Sequence, residues 1–239
     1  MTRYVRAEAA THRSVDWFDA LVGYLSVGWV WSFVYWHTPA ALRGLPVFSS
    51  YSYGTYSNHA SMLAIPMFWY AVLRRRFPIG GLRWSDLRGW VWPGTFAISF
   101  MLAMAVGITL AGLGAGLRQA MVISPAGFIF ELTAPGLGEE FLWRGLIQTG
   151  LNTSLPYRLP LFGGVGVGTI LAALGFGATH LGNGGQPHVL TILQVCSATV
   201  GGLILGIGYE RTNNIWGAVI VHNLSNIVLF MYIALVLAH

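Results

Sequence analysis

Gly138-Glu139-Glu140-Phe141-Leu142-Trp143-Arg144-Gly145 places two adjacent carboxylates and an arginine inside a stretch that is otherwise apolar. The whole chain has eight acidic residues, and two of them stand here. Charge in a bilayer-like environment is costly and persists mainly where it has a use. The segment therefore reads as the functional centre of a membrane-embedded chain.

The composition agrees. Of 239 residues, 55% are hydrophobic and 9% charged, and the mean hydropathy is +0.61. A soluble domain carries about 25% charged residues. So little charge cannot cover a water-facing surface, and lipid must face the chain instead. The length suits one all-α, polytopic transmembrane helix bundle of roughly seven or eight helices at about 20 residues each. Residues 1–239 then form a single membrane-embedded domain, with no room for a separate soluble one.

The net charge is +5, and all 13 basic residues are arginine. They lie in short connections between apolar runs, as the positive-inside rule expects, so no nucleic-acid partner is implied. Arg74, Arg75, Arg76, Arg83 and Arg88 form the densest group and place their loop in the cytoplasm. Arg3, Arg6 and Arg13 place the N-terminus there too, with two spans between. The first apolar run lacks a small-residue cleavage site and is expected to be a retained helix rather than a signal peptide. The one cysteine, Cys196, lies in an apolar run and excludes an intrachain disulfide or a cysteine-based metal site.

Apolar runs expected to span are Trp17–Trp36, His59–Leu73, Trp90–Leu113, Leu159–Thr179, His188–Ile207 and Ile215–Leu237. Between the third and the fourth of these, Ala120–Ala134 is apolar except for Glu131. Pro135-Gly136-Leu137-Gly138 then interrupts the pattern, as a Pro/Gly cluster breaks or kinks a helix. Glu139–Leu151 is expected to resume as a helix with both glutamates in its first turn, where the dipole favours acid. One kinked span here gives seven helices, and two give eight. Tyr209–Asn214 reads as a short loop. Glycines in Leu159–Thr179 and His188–Ile207 suit close helix packing in lipid.

Three polar clusters interrupt the apolar second half: Glu139, Glu140 and Arg144; then His180, four residues after Phe176; then His222 and Asn226. A spacing of four puts Arg144 over Glu140, and Asn226 over His222, on one helical face. Each cluster alone could be a structural clasp or a helix–helix hydrogen bond. Together, with almost no other buried charge, they indicate a site. Antiparallel packing of consecutive helices would bring Glu139 and His180 to one depth. A buried carboxylate facing an imidazole can take a proton from water. With Glu140 engaged by Arg144, Glu139 is the freer base. His222 and Asn226 are donors suited to an oxyanion. Such a set describes amide hydrolysis without a serine or cysteine nucleophile. Zinc held by Glu139, His180 and His222 is the rival reading, although no His-Glu-x-x-His is present. A transporter would need a polar path through the first three spans, which offer only Asp19 and scattered Ser/Thr.

EEFLWRG, FGATH and HNLSN, in that order, resemble the three motifs of the CAAX prenyl protease and bacteriocin-processing family (CPBP, or Abi): Glu-Glu-x-x-x-Arg, Phe-x-x-x-His and His-x-x-x-Asn. The resemblance covers about residues 137–229. It implies an intramembrane endopeptidase of the glutamate type, acting without a cofactor on a membrane-associated protein or peptide, prenylated CAAX chains included. By resemblance Glu139 is the general base and His180 helps it hold the water. Glu140 and Arg144 support the site, and His222 and Asn226 form the oxyanion hole. It also implies a multi-pass protein of a bacterial or archaeal cytoplasmic membrane. A non-proteolytic peptide-binding or bacteriocin-immunity protein would use the same residues without the base.

Overall fold

A computed structural model describes residues 58–60, 62–64, 66–67, 81–82, 84, 87–119, 123–160, 163–182 and 187–237. The expected first span Trp17–Trp36, the amino-terminal arginines and Arg74, Arg75, Arg76 and Arg83 lie outside them, as does most of His59–Leu73. The described residues are almost wholly helical, as the composition requires. After a single 3₁₀ turn, Leu87–Trp90, they form α1 (Val91–Leu110), α2 (Gly114–Gln119), α3 (Pro125–Glu140), a π-helical segment (Phe141–Gln148) and α4 (Thr149–Ser154). A small antiparallel hairpin, β1 (Arg158–Leu159) with β2 (Val165–Gly166), then leads to α5 (Val167–Thr179), α6 (His188–Thr212) and α7 (Ile215–Val236).

Local chemistry sets these boundaries. α1 stops in a Schellman motif: Gly112 adopts φ 77°, its N–H bonds Thr109, and the Leu113 N–H bonds Ile108. α3 starts where the Ser124 hydroxyl accepts the Gly127 N–H at 3.0 Å, with Pro125 as its first residue. α6 ends at Asn213 in the left-handed region, and the buried Asn214 caps α7 through Trp216 N–H and Gly217 N–H.

Three expectations about boundaries are corrected. The Pro135–Gly138 cluster does not break the helix, and α3 runs through it to Glu140. Proline removes a donor and blocks the bond to the preceding turn. The helix survives because the Gly136 N–H bonds the Asn223 side-chain oxygen at 2.7 Å. The two glutamates therefore end α3 rather than begin a new helix, so the N-terminal dipole does not act on them. The continuous helical run Pro125–Ser154 matches the single-span reading of this stretch. Second, the run beginning at Leu159 is helical only from Val167. Gly163 (φ 79°) and Gly164 (φ 92°) take a turn that closes the hairpin. Third, Tyr209–Thr212 is the last turn of α6, not a loop. Glu210 is satisfied there by Thr169 at 2.7 Å, by the Gly166 N–H and by an ion pair with Arg158.

Leu87–Leu110, His188–Thr212 and Ile215–Val236 are each long and apolar enough to cross a membrane, and Val167–Gly182 is a shorter apolar helix. Large apolar side chains such as Trp92, Phe96 and Leu110 on α1 and Ile192 on α6 face outward. Glu140, Arg144, Gln148 and Thr169 are fully enclosed. Apolar outside and polar inside is the arrangement lipid imposes, and the chain is an integral membrane protein.

α6 packs against α5 and α1, while α7 packs against α3 and α1. Trp90, Phe141, Leu205, Ile215 and Ala218 centre one buried cluster, and Leu142, Trp143, Ala172 and Phe176 a second. Small residues permit the approach. Gly177→Ala would drive a methyl into Thr199 and to 2.8 Å from the Val195 carbonyl oxygen. Such overpacking is expected to cost roughly 1–3 kcal/mol, read as a lower unfolding midpoint in detergent. An unchanged midpoint would show that α5 and α6 do not touch there.

Candidate active site

Glu139 and Glu140 are neighbours about 100° apart around the helix, so they meet different partners. Glu140 turns fully inward: its Oε1 accepts from His222 Nδ1 at 2.7 Å, and its Oε2 lies 3.1 Å from Arg144 Nε. Glu139 keeps some exposure. Its Oε1 accepts from His59 Nε2 at 2.9 Å, and its Oε2 lies 3.7 Å from His222 Nε2. The His222 ring thus stands between the two carboxylates, held by one and facing the other.

A π-helix carries Arg144. Its wider turn begins directly after the glutamates, and the Arg144 carbonyl is bonded five residues on, by the Thr149 N–H and hydroxyl. Such segments recur at functional sites because they re-aim side chains. Here the guanidinium is fully buried, and among the described residues its two terminal nitrogens have no hydrogen-bond partner. Besides Glu140, the cation rests on the Phe176 ring, 5.1 Å from its centroid.

Phe176 links the remaining pieces. Its ring meets His180 edge-on at 5.1 Å, His222 at 6.2 Å and Trp143 at 5.8 Å. His180, at the end of α5, donates from Nδ1 to the Phe176 carbonyl at 3.0 Å, which leaves Nε2 as its acceptor. The contacts of His180 are thus with Phe176 and its neighbour Thr179, and the partner of Glu139 is His59 instead.

Asn226, one turn after His222 on α7, donates to Glu131 Oε2 at 3.0 Å. Between them in sequence, Asn223 is buried and holds α3 at Gly136 and Thr133. It serves the scaffold that sets the depth of the glutamates.

Glu139, Glu140, Arg144 and His222 are therefore in one contact network. His180 adjoins it through the Phe176 ring, whereas Asn226 hydrogen-bonds Glu131. Sequence reasoning passed over His59 and Glu131 as site members. Glu131 carried a signal, being a carboxylate in an apolar run. His59 carried a weaker one, as the first residue of an expected span with no polar residue one turn away on its face. Among the described residues no three His, Cys, Asp or Glu side chains are gathered as metal ligands, and Glu139, His180 and His222 do not form such a set.

Within an apolar bundle this arrangement places the Glu139 carboxylate 3.7 Å from the His222 imidazole. A water bridging Glu139 Oε2 and His222 Nε2 would meet a base and, when the imidazole is protonated between its two carboxylates, a donor. No curated protein and no solved structure matches the chain. Residues 121–228, which hold α3, the π segment, α5, α6 and most of α7, match the family described as Type II CAAX prenyl endopeptidase Rce1-like. The segment that carries the three motifs on these helices is thus similar, over residues 121–228, to the CAAX prenyl endopeptidase family.

Proposed function

We propose that the protein is an intramembrane endopeptidase of the glutamate type, using water as the nucleophile and acting on a membrane-associated protein or peptide with a prenylated CAAX-type end. One observation carries this reading: Glu139 Oε2 and His222 Nε2 face each other at 3.7 Å inside a bundle that is apolar outside. Glu139 takes a proton from the water, and the oxygen attacks the scissile carbonyl carbon. The carbonyl oxygen gains the negative charge, which the Asn226 amide and His222, as its imidazolium, meet as donors. As the intermediate collapses, Glu139 returns its proton to the leaving amine, so base and acid are one group at successive steps.

The other residues have supporting roles. Glu140 orients His222 through Nδ1, and Arg144 holds Glu140. His180, with Nδ1 committed to the Phe176 carbonyl, presents an acceptor nitrogen that helps hold the water. No cofactor enters the reaction. The whole chain acts as one membrane-embedded domain with its N-terminus in the cytoplasm of a bacterium or archaeon.

Asn226 has two amide hydrogens, and Glu131 accepts one. Asn226→Ala is expected to lower kcat by about 10²–10³-fold, the usual effect of losing one oxyanion donor, with KM little changed. A defect confined to KM would move Asn226 from the oxyanion to substrate binding.

The test is cleavage by full-length protein in proteoliposomes of an internally quenched farnesylated CAAX peptide, beside its unprenylated analogue. Cleavage of the farnesylated peptide, unaffected by 1,10-phenanthroline, is expected. Tight binding of the peptide with neither analogue cut would replace the protease with a peptide-binding or immunity protein. Loss of cleavage with chelator that zinc alone restores would favour the metal.

A further inference from the structure

His59 lies outside the residues that match the family and outside its three motifs, yet it makes the shortest polar contact to Glu139, at 2.9 Å. The two oxygens of Glu139 are divided between neighbours: Oε1 goes to His59, and Oε2 faces His222. A carboxylate held at one oxygen by a charge-assisted bond has one preferred orientation of its plane. The contact is built from both sides. Phe130, on the same helix as Glu139, meets the His59 ring edge-on at 5.1 Å and 84°. Gly138, directly before Glu139, admits the His59 backbone. A Cβ at Gly138 would come to 2.6 Å from the His59 carbonyl oxygen and 3.0 Å from its Cα. The sequence beside the base is thus shaped to receive this histidine, whose side chain is only 9% exposed.

We propose that His59 is a positioning residue for Glu139: by donating from Nε2 to Oε1 it turns Oε2 toward His222 and the water. The inference rests on the protease reading above, and it adds a residue from the amino-terminal half to that site. An interhelical hydrogen bond with only a structural role would affect folding. A positioning bond affects the chemical step.

The experiment compares wild type with His59→Phe, His59→Gln and Gly138→Ala as full-length proteins in proteoliposomes with the farnesylated quenched peptide, with Glu139→Gln alongside. Phenylalanine keeps the ring and removes the donor, and the glutamine amide can donate near the Nε2 position. His59→Phe is expected to lower kcat about 10²-fold, as misplacement of a catalytic group by about 1 Å can, with KM within about twofold. His59→Gln should recover at least tenfold of that loss. Gly138→Ala, which displaces His59 without removing it, should reproduce the defect.

A second readout needs no cleavage. Dicyclohexylcarbodiimide labelling of Glu139, mapped by mass spectrometry, is expected to speed up about tenfold in His59→Phe and Gly138→Ala, the factor for losing one hydrogen bond to a charged group. It should stay near wild type in His59→Gln. Wild-type kcat in His59→Phe, an equal defect in the Phe and Gln variants, or unchanged labelling would overturn the positioning role. Cleavage that survives Glu139→Gln, with the labelling change intact, would overturn the protease reading and leave the His59–Glu139 contact standing.

Discussion

Glu139→Gln is expected to lower kcat by about 10²–10⁴-fold, the range supplied by a positioned general base. The change is nearly isosteric and keeps an oxygen to accept from His59. The bundle should therefore unfold within about 1–2 kcal/mol of wild type, the scale of one hydrogen bond to a charged group. KM for the farnesylated peptide should change little, because the base acts on the water and not on the prenyl chain. Glu140→Gln provides the contrast. Its oxygens touch His222 and Arg144 rather than the space between Glu139 and His222, so its defect should be smaller. Turnover by Glu139→Gln at the wild-type rate would remove the glutamate mechanism outright. Glu140→Gln inactive and Glu139→Gln active would exchange the roles of the two acids.

The second large effect is on stability. Glu140 and Arg144 are both fully enclosed and lie 3.1 Å apart. Arg144→Met leaves the Glu140 carboxylate buried with His222 as its remaining partner, and removing one member of a buried pair costs about 3–5 kcal/mol. The unfolding midpoint in detergent should drop accordingly. The double variant Glu140→Gln/Arg144→Met should regain much of the loss, since replacing both members of a buried pair is often close to neutral. Arg144→Lys should recover less than the charge alone suggests. The flat guanidinium rests on the Phe176 ring, and an ammonium cannot match that face. A wild-type midpoint in Arg144→Met would show that the clasp carries no stability, and the ring contact would then need another account.

The family motifs and the helical architecture were legible for a local reason. Positions four apart share a helical face, so Glu140 beneath Arg144 and Asn226 beside His222 follow from sequence spacing alone. Scarce charge in an apolar chain marks where polar groups must be enclosed. The local signals misled where tertiary contacts replaced a lost backbone partner. Pro135 should end a helix, but Asn223, far along the chain on α7, accepts the Gly136 N–H, and the helix continues. Tyr209–Thr212 resembles a loop because Glu210 and Arg211 are charged, yet Glu210 is satisfied by Thr169 and the Gly166 N–H on neighbouring elements.

By itself, then, the amino-acid order determined a helical membrane chain with three polar clusters set in the apolar runs of its second half, because composition and helical periodicity are read within a few turns. Which carboxylate meets which imidazole was settled only by packing. His59 reaches Glu139 across 80 residues, and Asn226 reaches Glu131 across 95. Contacts at such separations depend on the depth and rotation of whole helices, and those are set by glycines such as Gly138 that let one backbone lie against another.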